Sequence, residues 1–147
     1  MSTKEEAQTP RGQPESFHAR GITLSLTASD LPKSMAWYRD VVGFHQDQTW
    51  ERDGKVAGVA MLAGDIRINL NQDDWQKGKD RKKGQGLAIY LNTGQDIDAL
   101  AAGIKERGGT LDDEPSDKPW GVRSFGLTDP DGFKFGIQRP LNGNMGR

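Results

Sequence analysis

Two segments 65 residues apart share one alternating pattern, and this repeat constrains the fold more than any other feature of the chain. Residues 21–27 (GITLSLT) alternate apolar and polar side chains, and residues 86–92 (GLAIYLN) repeat the alternation in the same register. Alternation with period two is typical of a strand that buries one face. The chain has 147 residues, which suits one domain built from two similar halves.

Each repeated strand leads into a segment with helical spacing. Asp30 precedes apolar residues at helical spacing in 31–42, and Gly43 suits a left-handed C-terminal cap. In the second half, Asp96 is a candidate N-cap before the apolar face of 97–104. The order strand then helix is therefore repeated as well.

Further strands follow each helix, joined by tight turns. They are predicted at 56–62 and 66–71 in the first half, and at 122–128 and 133–138 in the second. We predict an α+β fold of two βαβββ modules that form a curved mixed sheet, with helices on the convex face and the concave face open.

The predicted domain boundaries follow from the repeat. Module one spans 21–71, a linker 72–85, and module two 86–139, with tails at 1–20 and 140–147. The linker contains five basic residues and no apolar period, so we expect it to be exposed.

Composition excludes several function classes. The net charge is −1, which gives no positive field for nucleic acid or an anionic membrane surface. The chain has no cysteine and only two histidines, so disulfides, a thiol nucleophile and cysteine-ligated zinc are excluded. No apolar run is long enough for a membrane span or a signal peptide, and we expect a cytoplasmic protein.

Strand alternation predicts which side chains line the open face. If Ile22, Leu24 and Leu26 point toward the helices, then their neighbours point the other way. The same reasoning in the other central strands gives a face of hydroxyl, amide and cationic groups: Thr23, Ser25, Thr27, Arg67, Asn69, Asn71, Ala88, Tyr90, Asn92, Lys134, Gly136 and Gln138. Such groups can orient a polar or anionic ligand, although solvent exposure alone also selects polar side chains.

Residues 30–44 (DLPKSMAWYRDVVGF) resemble a helix motif of the vicinal oxygen chelate superfamily. This group includes glyoxalase I, extradiol dioxygenases, fosfomycin resistance enzymes and bleomycin resistance proteins. The second half agrees, with WGVR at 120–123 followed by DPDGF at 129–133. The resemblance covers about 21–139 and implies the two-module fold, but no particular reaction.

The resemblance also implies where a metal would be held. Metal-dependent members bind a divalent ion through His or Glu, with few exceptions, on the first and last strands of each module. The corresponding positions here are Thr23, Asn69, Ala88 and Gly136. None is a histidine or a carboxylate, so we expect no metal and no cofactor.

What the resemblance then implies is the metal-free branch typified by bleomycin resistance proteins, which sequester a drug in a groove at a dimer interface. We predict a homodimer that binds a small aromatic or polar organic compound, as in antibiotic resistance, without catalytic residues and without nucleic acid or membrane partners. The predicted ligand-binding residues are Thr23, Ser25, Trp50, Arg67, Asn69, Tyr90, Trp120, Lys134 and Gln138. Bleomycin is cationic, so the basic residues of this set disfavour it as the ligand.

Two alternatives stay open. One is an enzyme of the same fold with an atypical or absent metal, in which Tyr90, Lys134 or His45 acts as acid or base. The other is a protein-interaction module that uses the sheet for contact. Among the remaining aromatics, Trp37 and Tyr38 are expected in the core, and Trp75 is either a lid or an anchor of the linker.

Overall fold

The computed structural model describes residues 15–142 and consists of two βαβββ modules. The first contains β1 (Thr23–Ala28), α1 (Leu31–Ala36) continued by a π-helical segment (Trp37–Val42), β2 (His45–Arg52), β3 (Lys55–Ala63) and β4 (Ile66–Gln72). The second contains β5 (Ala88–Asn92), α2 (Ile97–Glu106), β6 (Asp113–Asp117), β7 (Val122–Thr128) and β8 (Lys134–Pro140). Within these residues, no helix is long and apolar enough to cross a membrane.

Each module forms its own four-stranded mixed sheet with the same topology. The strand orders are β1-β4-β3-β2 and β5-β8-β7-β6. The first strand of each module pairs in parallel with the last, and the remaining pairs are antiparallel. The internal repeat of the sequence is therefore a repeat of structure, and the predicted fold class is confirmed.

The helix boundaries follow the predicted signals. The Asp30 carboxylate accepts a hydrogen bond from the N–H of Lys33 at 3.2 Å, and Asp96 caps α2 in the same way. Gly43 ends the π-helical segment in the left-handed region, with φ at 107°, where a side chain would be strained.

One hydrophobic core lies between the two sheets. Tyr38 is fully buried and meets Phe135 of β8 edge-on, with 6.0 Å between ring centroids. Its hydroxyl donates to Asp129 of the second module at 2.7 Å. The first helix therefore packs against the second sheet as well as its own, and the apolar sides of both sheets share one cluster. It follows that the open face of each sheet lies on the side away from this core.

Two residues predicted to point into the core are exposed. Ile22 is 73% exposed and Leu87, at the corresponding position of module two, is also exposed. Each lies one residue before its edge strand begins, so the alternation that buries Leu26 and Ile89 does not extend to it.

The linker differs from the predicted exposed segment. Its first residue, Gln72, belongs to β4, and Asp73 is buried. The Asp73 carboxylate lies 2.9 Å from the Lys83 ammonium and 3.4 Å from the Arg81 guanidinium. The hydrogen bonds from Lys83 and from the backbone N–H of Trp75 hold the pKa of Asp73 below its usual range. Two of the basic residues are thus used to fold the linker back on itself.

Trp75 contacts a lysine of the same linker. The Lys83 ammonium lies 5.2 Å from the centre of the indole, and Lys83 also donates to the hydroxyl of Ser29 at 3.1 Å. The lysine therefore ties the linker to the turn that follows β1.

Strands β2 and β6 were not delimited by the sequence patterns. Both are outer strands of their sheets, and most of their residues are exposed. Asp113 and Glu114 lie within β6, and β8 extends to Pro140, the first residue of the predicted tail. The predicted tails otherwise fall on the exposed residues 15–20 and 141–142 and on residues outside the described part of the chain.

Candidate functional site

The strand register arranges the open face of the first sheet in rows. Thr23 pairs with Arg67, Ser25 with Asn69, and the next row contains Thr27, Asn71, Gly58 and Trp50. Residues paired across strands share a face, so these side chains form one surface. The predicted residues Thr23, Ser25, Trp50, Arg67 and Asn69 therefore lie together.

Hydrogen bonds between side chains orient the polar groups of this face. The Nε of Arg67 donates to the amide oxygen of Asn69 at 3.0 Å, and the Nδ2 of Asn71 donates to the Ser25 hydroxyl at 2.8 Å. These contacts leave the terminal nitrogens of the Arg67 guanidinium without a partner among the described residues. The first sheet thus offers oriented donors and acceptors that a polar ligand can use.

The open face of the second sheet has the same row structure with different chemistry. Ala88 pairs with Lys134, Tyr90 with Gly136, and Asn92 with Gln138. The Nε2 of Gln138 donates to the Asn92 oxygen at 2.9 Å, while the Oε1 of Gln138 is buried and has no partner among the described residues. Tyr90, Lys134 and Gln138, all predicted from the sequence, form this second group.

An aromatic ring covers a glycine on each open face. A Cβ at Gly136 would lie 2.8 Å from the Cδ1 of Tyr90, and one at Gly58 would collide with the indole of Trp50. Each ring therefore lies close over a backbone that only glycine leaves accessible. Tyr90 is 54% exposed, so part of its ring can contact a planar group.

The positions that hold a metal in related proteins do not fit a divalent transition metal here. Thr23 and Asn69 offer neutral oxygens, Ala88 offers no donor, and Gly136 is covered by the ring of Tyr90. Imidazole and carboxylate ligands bind such metals far better than hydroxyl or amide oxygens. Among residues 15–142 there is no group of three or more His, Cys, Asp or Glu placed to hold a metal ion.

Trp120 lies apart from the central rows. It is 60% exposed in the turn before β7. Gly126 of β7 is in register with Gly136. Val122, the first residue of β7, lies four residues before Gly126, which is about 13 Å along a strand, and Trp120 lies before Val122. His45 lies at the outer edge of the first sheet, exposed, in the row of Arg67.

A basic cleft beside the second sheet is a feature that the sequence patterns did not reveal. It has a volume of about 580 Å³ and is lined by Lys82, Lys83, residues 84–87, Ala88, Gly132 and Lys134. Gly84 approaches the backbone of Gly132 so closely that a Cβ would collide with the Gly132 carbonyl. The basic run in the linker was the only sequence signal for this cleft.

Solved structures share this arrangement over most of the chain. TnmS3, described as an antibiotic binding protein from Streptomyces sp. CB03234, superposes with a TM-score of 0.65 at 26% identity, over 86% of this chain and 99% of its own. A protein from Sphaerobacter thermophilus DSM 20745, described as a member of the Glyoxalase/bleomycin resistance protein/dioxygenase superfamily, superposes with a TM-score of 0.67 at 27% identity. The match covers 83% of this chain and 98% of its own. TioX from Micromonospora sp. ML1 superposes with a TM-score of 0.68 at 18% identity, over 84% of this chain and 100% of its own. At this identity the likeness supports the fold alone.

A family model assigns the chain more directly. It matches residues 18–137 and is described as the Glyoxalase/Bleomycin resistance protein/Dioxygenase superfamily. No curated protein matches the chain. Because the match covers both modules, and the topology repeats in both, the chain belongs to the glyoxalase/bleomycin resistance protein/dioxygenase superfamily.

Proposed function

We propose that this protein binds and sequesters a small organic molecule with an aromatic ring, without a metal and without catalysis. The observation that carries the proposal is the ring of Tyr90, which lies over Gly136 on an open face and is 54% exposed. Stacking on such a ring supplies affinity, and neighbouring amides and cations set the orientation of the ligand.

We infer that a second copy of the chain completes the binding groove. Within one chain, the polar face of the first sheet and the aromatic face of the second lie on opposite sides of the shared core. Both β1 and β5 are edge strands with open backbone groups, and each is preceded by an exposed apolar residue, Ile22 or Leu87. A twofold dimer that sets β1 of one copy beside β5 of the other covers both edges and joins the two half-sites.

The likeness to TnmS3 supports an antibiotic as the class of ligand. That protein is described as antibiotic binding and shares 26% of its residues with this chain. We therefore propose a cytoplasmic role in which the protein lowers the free concentration of such a compound.

Native mass spectrometry of freshly purified protein, followed by a thermal-shift screen of aromatic antibiotics, tests this function. We expect a metal-free dimer and at least one compound that raises the melting temperature, because a ligand that binds only the folded state stabilises it. A stoichiometric transition metal in the dimer would overturn the metal-free proposal. A monomer that binds the compound with undiminished affinity would overturn the shared groove.

Variants test which face binds the ligand. We expect Tyr90→Ala and Arg67→Ala to abolish or weaken the thermal shift, with the free protein melting within a few degrees of wild type, since both residues are on the open faces. Phe17→Ala is the matched control, because Phe17 is an exposed aromatic residue outside both sheets. An equal loss in all three variants would show that the shift does not report on this site.

A further inference from the structure

The first and last strands of each module contain no acidic residue. Strands β1, β4, β5 and β8 have neither Asp nor Glu, although the chain contains 21 acidic residues. Their open faces contain two cations, Arg67 and Lys134. These occupy equivalent positions, because each pairs with the first residue of its module's first strand. Within these four strands the positive charge is therefore repeated in both modules. The nearest carboxylates on the open face of the second sheet, Asp112 and Asp113, already accept hydrogen bonds from Thr128 and Lys118.

The basic cleft extends this charge beyond Lys134. The residues that line it include three lysines and no carboxylate. Lys83 is already neutralised by Asp73 at 2.9 Å. Lys82 and Lys134 are exposed and form no ion pair within the described residues 15–142. Two ammonium groups are thus free to bind an anion at the entrance of the second open face.

The distance between this charge and the aromatic surface limits the ligand. Lys134 lies in the row next to that of Tyr90 and Gly136, on the same face. Adjacent same-face rows are separated by two residues of strand, which is about 7 Å. A ring stacked on Tyr90 can therefore place a substituent at Lys134 if the ring system is about two fused rings long.

We propose, on the basis of the proposed function, that the ligand is an aromatic compound with an acidic group, and that Lys134 and Lys82 bind this group while Tyr90 stacks on the ring. A carboxylate, a sulfonate or a phosphate ester provides the anionic oxygens that ammonium donors prefer. The cleft leaves room for a substituent on this side of the ring.

Calorimetric titration of the full-length protein with 2-naphthoate and with 2-naphthamide tests the proposal, because the two probes share a shape and differ in charge. We expect naphthoate to bind roughly three- to tenfold more tightly near neutral pH, as partly exposed charge pairs allow. Raising the salt concentration from roughly 0.05 to 0.5 M should reduce this preference, because exposed pairs are screened. Lys134→Gln and Lys82→Gln should each reduce this preference for naphthoate over naphthamide.

Lys79→Gln is the matched control, since Lys79 belongs to the same linker and does not line the cleft. Equal affinity of the two probes, or an equal effect of all three lysine variants, would overturn the proposal that the ligand carries an acidic group. Failure of both probes to bind would also overturn it. The proposed function fails separately, if no uncharged or charged compound of the thermal-shift screen binds.

Discussion

The hydroxyl of Tyr38 provides a quantitative test of how the two modules pack. Tyr38→Phe removes one hydrogen bond, from the Tyr38 hydroxyl to Asp129 at 2.7 Å, and keeps the ring among its aromatic neighbours. A buried hydrogen bond to a charged group is worth about 1.5–3 kcal/mol. Asp129 retains the backbone N–H donors of Asp131 at 2.8 Å and Phe133 at 2.9 Å, so the cost stays below that of an unpaired buried charge. We expect the free energy of unfolding to fall by about 2 kcal/mol.

The effect depends on pH in a defined direction. Burial, followed by the nearby charge of Asp129, raises the pKa of Tyr38 above its usual range. A group whose folded pKa is raised contributes stability that is present below the unfolded pKa, about 10 for tyrosine, and lost as pH rises above it. The phenylalanine variant has no such group. The difference in free energy of unfolding between wild type and Tyr38→Phe should therefore become smaller above about pH 10.

Urea unfolding measures this difference. With a slope of about 2 kcal/mol per molar, the midpoint should move by about 1 M. The chain has two tyrosines, and Tyr90→Phe is the matched control because Tyr90 is exposed and should change stability by less than about 0.5 kcal/mol.

A double-mutant cycle with Asp129→Ala, which removes the acceptor, then isolates the contact between modules. We expect the two substitutions to be coupled by at least about 1 kcal/mol, as for residues that share a hydrogen bond. Additivity within about 0.5 kcal/mol would refute the packing of the first helix on the second module, and with it the opposed open faces.

Three further substitutions test other parts of the structure. Asp73→Asn should lower the melting temperature at neutral pH. The difference in melting temperature from wild type should shrink as pH falls below about 4, because a carboxylate with a depressed pKa loses its contribution to stability when it is protonated. An unchanged melting temperature would show that the buried Lys83 does not depend on this partner. Gly58→Ala should displace the Trp50 indole and shift its ring N–H resonance, since the added Cβ collides with it; an unshifted resonance would contradict the stacked position. Arg107→Ala should cost about 1 kcal/mol in urea unfolding, because its guanidinium donates to the last carbonyls of the first helix; a neutral result would mean that water replaces these bonds.

The predictable parts of the fold are those whose signals are local. The alternation, the capping by Asp30 and the left-handed Gly43 each depend on residues close in sequence. The two caps are found in the structure, and the alternation is found from Thr23 and from Ala88 onward. Strand β2 was not predicted, because most of its side chains are exposed and its sequence therefore has no apolar period.

The linker shows the opposite limit. A run of lysines and arginines looks the same in sequence whether its charges are solvated or paired. Lys83 can be largely buried because its ammonium contacts Asp73, ten residues earlier, and Ser29, 54 residues earlier. Only the folded structure brings these groups together.

The candidate site was predictable in composition and not in arrangement. Alternation placed Thr23, Arg67 and Tyr90 on open faces, and the structure agrees. Whether a ring lies on a glycine depends on the register of two strands, and Tyr90 and Gly136 are 46 residues apart in sequence. The direction in which each open face points depends on helix packing, which has no sequence signal of this kind.

The two modules share one topology, but their open faces have different side chains. At the row where the first module has Ser25 beside Asn69, the second has Tyr90 beside Gly136. A chelating site built from both modules needs a donor side chain in each, and here the second module supplies a ring and a bare backbone. Hydrogen bonds orient a ligand and stacking holds it, so a groove formed by one face of each kind combines the two requirements of binding. The aromatic surface of the second module and the bare position beside it thus depend on each other, because the ring of Tyr90 can lie over Gly136 only where Gly136 has no side chain.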